Sequence, residues 1–110
     1  MSEPGLRVLL CTAPAEVAPT LARQLLEARL IACANLLPGA RALYWWEGEL
    51  QDEEEVLMLM ETPSERAAEA IAALEQAHPY EVPKILGLDP HAVNGPYLEW
   101  LRTVTRASAG

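Results

Sequence analysis

The feature that most constrains this chain is an order of residues that occurs twice. Val8-Leu9-Leu10-Cys11-Thr12-Ala13-Pro14-Ala15-Glu16 is an apolar run followed by Thr, Pro and Glu, and Val56-Leu57-Met58-Leu59-Met60-Glu61-Thr62-Pro63-Ser64-Glu65 repeats that order. Each copy reads as a strand turning into a helix. In the second, Thr62 is placed to cap, Pro63 suits the first helical position, and Glu65 completes a capping box. Thr12 and Ser64 read as helix caps rather than nucleophiles. Behind the two copies, Val17, Leu21, Leu25 and Ala28, and then Ala67, Ile71 and Leu74, recur at helical spacing. Pro19 is tolerable because it falls in the first turn.

Two further apolar stretches complete the pattern. Leu30 to Leu37 reads as a strand, and Lys84 to Leu88 as a short one before Pro90. The order β-α-β, β-α-β is a split βαβ arrangement, so the expected fold is α/β (α+β): a ferredoxin-like sandwich with an antiparallel sheet of order 4-1-3-2. Asn94-Gly95-Pro96 opens a short C-terminal helix carrying Tyr97, Leu98, Trp100 and Leu101. With 110 residues, half of them apolar, the chain is expected to form one domain over residues 1–110, with a core that needs no metal or cofactor to fold.

Between the copies, Arg41 to Met60 reads as a long β2–β3 hairpin turning near Gly48 to Glu54. Alternation sends Leu43 and Trp45 to one face, Tyr44 and Trp46 to the other. So small a domain cannot cover a hairpin arm that is aromatic on both faces, and an exposed apolar patch of that kind marks an interface. Self-association is the expectation. The acidic run Glu47, Glu49, Asp52, Glu53, Glu54 and Glu55 reads as the solvated tip, and it lacks the alternating oxygen ligands and fixed Gly of a calcium loop.

Charge narrows the partners. Eight basic against 16 acidic residues leave a net charge of −8, which argues against nucleic acid and against an anionic membrane surface. No apolar segment is long enough to span a bilayer. The N-terminal stretch has no cationic start, so the expected location is cytoplasmic and Cys11 and Cys33 are expected to be thiols. Strand 3 separates strands 1 and 2, which puts the two cysteines too far apart for a disulfide.

The same topology collects Cys11, His78 and the Trp46-Glu47 end of the hairpin at one edge, with Cys33 at the other. Thiolate and imidazole suit copper or zinc, although two ligands fall short of the usual four of a structural zinc site. Cys11 reads first as a small buried hydrophobe in a strand and only second as a ligand. His78 reads equally as the terminator of its helix, ahead of Pro79. The motifs of nucleotide-binding loops, serine hydrolases and zinc proteases are missing, so no enzyme is expected.

VLLCTAP, ACANLLPG, YWWEGELQ, HPYEVPKI and NGPYLEWL, in that order, resemble the CutA divalent-cation-tolerance proteins over residues 7 to 102. The resemblance implies a ferredoxin-like fold, a homotrimer whose long hairpins clasp neighbouring subunits, and a response to divalent metal ions, with copper binding in some members. The copper ligands it implies fall on Cys11 and His78. Ala77 stands where some members have a second His, and Lys84 where many carry an acidic residue. Trp46, Glu47, Tyr80 and Glu81 match the family's blocks and are implied as ligand or interface residues, with Lys84 beside them. Similarity in fold and assembly to the PII signalling proteins implies a second possibility, sensing of a small organic or anionic ligand between subunits through Tyr80, Lys84 and Trp46. A third is a purely structural scaffold.

Overall fold

The computed structural model describes residues 5–106, so the ends of the single-domain span, 1–4 and 107–110, lie outside the described residues. Its elements run β1 (Leu6–Ala13), α1 (Ala18–Glu27), β2 (Cys33–Trp46), β3 (Glu49–Pro63), a 3-10 turn (Ser64–Arg66), α2 (Ala67–Ala77), β4 (Ile85–Leu88) and α3 (Gly95–Thr105). The sheet is antiparallel with order β2-β3-β1-β4, the expected 4-1-3-2 read from its other edge. Leu9, Cys11 and Ala13 of β1 and Val56, Met58 and Met60 of β3 turn to one face. There they pack with Leu21 and Leu25 of α1 and Ala70 and Leu74 of α2. α3 lies elsewhere, over Leu6 and Ala32, and Tyr97 Oη donates to Glu61 at 2.7 Å. No described helix is long and apolar enough to cross a membrane.

Several local expectations change. The second strand-helix turn is not a capping box: β3 continues through Thr62 to Pro63, and α2 begins only at Ala67. The Thr62 hydroxyl points inward and donates to the carbonyl of Leu30 at 2.7 Å, because that buried acceptor has to be satisfied. Thr12 likewise lies within β1, and Ser64 makes no capping bond; its hydroxyl is without a hydrogen-bond partner among the described residues. Finally, the hairpin turns at Glu47-Gly48, at the very start of the stretch expected to turn, and the acidic residues after it do not form the tip. Both residues have positive φ (51° and 81°), as a two-residue turn between Trp46 and Glu49 demands. Glu49 to Glu55 are therefore strand residues paired with β2.

The strand read as Leu30 to Leu37 likewise begins only at Cys33 and runs on into the hairpin. A bulge at Pro38-Gly39 interrupts β2, where the pairing shifts between Leu37 and Ala40. Proline is tolerated there because β2 is an edge strand with no further partner. Lys84 falls just outside β4, which starts at Ile85. The hairpin draws the subunit out to 46 × 34 × 22 Å.

Replacing Thr62 by Val strips the Leu30 carbonyl of its donor in a closed site. Chemical denaturation of T62V should show a loss of about 1–3 kcal/mol.

Candidate functional site

Because β4 pairs with β1 from Ile85 opposite Cys11, the chain leaving α2 has to cross the end of β1 to reach it. His78 starts that crossing. Its backbone N–H closes the helix on the Leu74 carbonyl at 3.0 Å, and its extended ψ of 139° turns the chain away. The buried ring meets the Thr12 carbonyl oxygen with Nε2 at 2.8 Å and the Tyr80 backbone N–H with Nδ1 at 3.2 Å. A carbonyl only accepts and an amide N–H only donates, so this bonding pattern assigns the neutral tautomer with the proton on Nε2. The Cys11 thiol approaches the same Thr12 carbonyl at 3.5 Å. Tyr80 packs its ring 4.7 Å from that of His78, and its hydroxyl donates to Glu55 on β3 at 2.5 Å.

Burial governs the electrostatics. The Cys11 thiol is pushed up from 9.0 to about 11, first by desolvation and then by the Glu55 carboxylate, while the Lys84 ammonium pulls the other way. Desolvation, followed by the hydrogen bond to Glu55, also raises Tyr80. On the hairpin arm, the hydrogen bond to Glu53 pushes Tyr44 up to about 12. The buried Glu55 carboxylate takes a hydrogen bond from Tyr80.

Cys11, His78 and Tyr80 are thus brought together, with Lys84 within electrostatic reach. Trp46 and Glu47 are not: the hairpin tip lies roughly 30 Å beyond Met58, the β3 residue opposite Cys11. Glu81 is exposed and makes no hydrogen bond or ion pair among the described residues. Glu55 is the functional residue that sequence reasoning missed, because a carboxylate inside an acidic run reads as solvated. Its position one residue before the buried Val56 was the available signal.

The implied copper ligands do not fit a resident ion as they are folded. The thiol keeps its proton in a fully buried position, and both ring nitrogens of His78 are engaged. Among the described residues, no three His, Cys, Asp or Glu side chains gather as a metal-holding group.

The arm presents a different kind of surface. Leu43, Trp45 and Leu50 on one face are each close to 70% exposed (68%, 69% and 68%), and Tyr44 and Trp46 on the other are half as exposed. The only ion pair seen there among the described residues joins Arg41 and Asp52 at 2.7 Å.

Comparison with known proteins places this geometry. Residues 7–104 match the family model of the CutA1 divalent ion tolerance protein. The chain is 45% identical over 100 residues to the divalent-cation tolerance protein CutA of Pectobacterium atrosepticum, covering 90% of this chain and 91% of that one. The crystal structure of divalent ion tolerance protein CutA1 from Ehrlichia chaffeensis is similar with a TM-score of 0.89, at 30% identity, covering 96% and 99% of the two chains. The periplasmic divalent cation tolerance protein CutA from Archaeoglobus fulgidus is similar with a TM-score of 0.87, at 30% identity over 92% and 99%.

The two thiols should behave differently. Mass-mapped alkylation of the native protein should label the partly exposed Cys33 well before the buried Cys11. The raised Cys11 value stabilises the fold below about pH 9, and that contribution is lost as pH rises through about 11. Denaturation midpoints measured from pH 7 to pH 11 should fall over that window, and less steeply in Cys11→Ala.

Proposed function

Since the chain belongs to the CutA1 family of divalent ion tolerance proteins, we propose that it serves metal tolerance without catalysis, as a cytoplasmic homotrimer clasped by its long hairpins. The observation that carries this reading is the arm. Trp45 and Leu50 are cross-strand neighbours on a face that nothing in the subunit covers, and Tyr44 and Trp46 leave the opposite face half open. Such a surface marks a contact with another surface, and closed rings of identical subunits cover it without leaving a free copy of the patch. Both edges of the sheet, β2 and β4, also have unpaired backbone groups available to a neighbour. The free thiols of Cys11 and Cys33 fit a reducing compartment.

In this reading divalent ions act on the assembled protein, where the carboxylates of β3 meet neighbouring subunits and the net charge of −8 favours cations. A bound ion stabilises the native state by mass action. A second reading, sensing of a small organic or anionic ligand between subunits, is favoured by Lys84, which is exposed and makes no ion pair among the described residues.

Native mass spectrometry should show three copies of the chain; a monomer or dimer would sink the assembly. The double substitution Trp45→Glu, Leu50→Glu should shift the trimer to smaller species while far-ultraviolet circular dichroism stays unchanged. Saturating copper, zinc, cobalt or manganese at 100 times its dissociation constant should stabilise the trimer by about 2.7 kcal/mol. A melting temperature moved by no metal but by a small anion would replace the first reading with the second.

A further inference from the structure

The segment between α2 and β4, residues 78–84, belongs to no helix or strand, yet it has to lie across the end of β1. Its place therefore depends on side-chain fastenings, and three are present. His78 Nε2 donates to Thr12 on β1; the Tyr80 N–H donates back to His78 Nδ1; and the Tyr80 hydroxyl donates to Glu55 on β3. The last of these falls at a particular point. Ala13 opposite Val56 is the final β1–β3 pair, so Glu55 is the first β3 residue beyond the shelter of β1 and the root of the hairpin arm.

We propose that His78 and Tyr80 form a latch at the place where Cys11 and His78 would make a metal site, with His78 a positioning residue that seats Tyr80 on Glu55 and thereby fixes the root of the hairpin. The donor count supports this. A metal ion on Nε2 would displace the bond to Thr12, and one on Nδ1 would displace the bond from Tyr80, in each case leaving a backbone group short of its partner. Leaving such a group unsatisfied in a closed site costs more than the bond itself is worth. The thiol that would supply the second ligand is wholly buried and sits within reach of the Lys84 ammonium, which opposes a further cation. The position before His78 is Ala77, which brings no donor. Both ring nitrogens of His78, and the N–H and hydroxyl of Tyr80, are used in holding protein to protein.

The latch is independent of the assembly, because loss of the trimer in the mass spectrum would remove the assembly reading and leave the latch untouched. Its own test is hydrogen exchange of the full chain, with three variants, and copper binding with a fourth. His78→Ala should speed exchange about tenfold at residues 78–84 and at the hairpin root, 40–42 and 53–56, with residues 57–61 unchanged; one lost hydrogen bond is worth about that factor. His78→Gln, whose amide N–H can still reach Thr12, should recover part of the protection. Tyr80→Phe is the mildest change and keeps the His78 bonds; it should loosen the hairpin root while residue 80 stays protected. Copper(I), supplied from a competing chelator and followed by native mass spectrometry, should give no stoichiometric adduct that Cys11→Ala removes. One copper per subunit, absent in both Cys11→Ala and His78→Ala, would overturn the proposal. So would an unchanged hairpin root in both His78→Ala and Tyr80→Phe.

Discussion

Strand lengths in this sheet do not match, and much else depends on that mismatch. β1 has 8 residues, whereas its neighbour β3 has 15 and β2 has 14. Over the first half of β3 no third strand or helix lies alongside among the described residues, so β2 and β3 continue as a two-stranded ribbon. Such a ribbon is marginal alone in water. The sheared end of β1 is also where α2 delivers the chain that must reach β4. Two problems meet in one place: an unsupported arm needs a firm root, and an irregular crossing needs anchors.

His78 and Tyr80 answer both with a few bonds. The ring of His78 closes the backbone on each side of it, to Thr12 behind and Tyr80 ahead, and Tyr80 carries the connection across to Glu55. A buried carboxylate in an acidic strand is costly unless it is hydrogen-bonded. Here Tyr80 supplies that bond, and burial with Glu55 in turn holds the phenol protonated. The His78-Pro79-Tyr80 sequence thus has a mechanical meaning in this subunit, in which proline stops the helix and the flanking rings secure the crossing segment.

Much of the architecture was legible from residue order. The repeated strand-Thr-Pro-Glu run located β1, β3 and the helices behind them, and period-two alternation located the two faces of the arm. The turn was found at Gly48 but drawn too far toward Glu54 because charge clusters resemble loops, while Glu47, a non-glycine residue with positive φ, carries no turn signature beyond the glycine after it. Thr62 looked like a cap because local pattern cannot reveal a carbonyl 32 positions away that needs a donor. The site was legible only in part. Topology brought Cys11 and His78 to one edge, but whether an imidazole nitrogen is open or engaged depends on groups distant in sequence, here Thr12, 66 positions earlier. Glu55 was hidden for the same reason, since its partner lies 25 residues onward.

The two-residue turn at Glu47-Gly48 also has a kinetic meaning. β2 and β3 are adjacent in the chain, so their pairing is local and a hairpin of this kind zips within about 1–10 μs. β4 can join β1 only once a loop of more than seventy residues has closed, and non-local pairings of that sort are slow. During synthesis the ribbon and its tryptophans are therefore made and paired before the strand that completes the sheet has left the ribosome. The stickiest part of the molecule is ready first. The carboxylates that line β3 in that same ribbon give early chains like charges that repel one another.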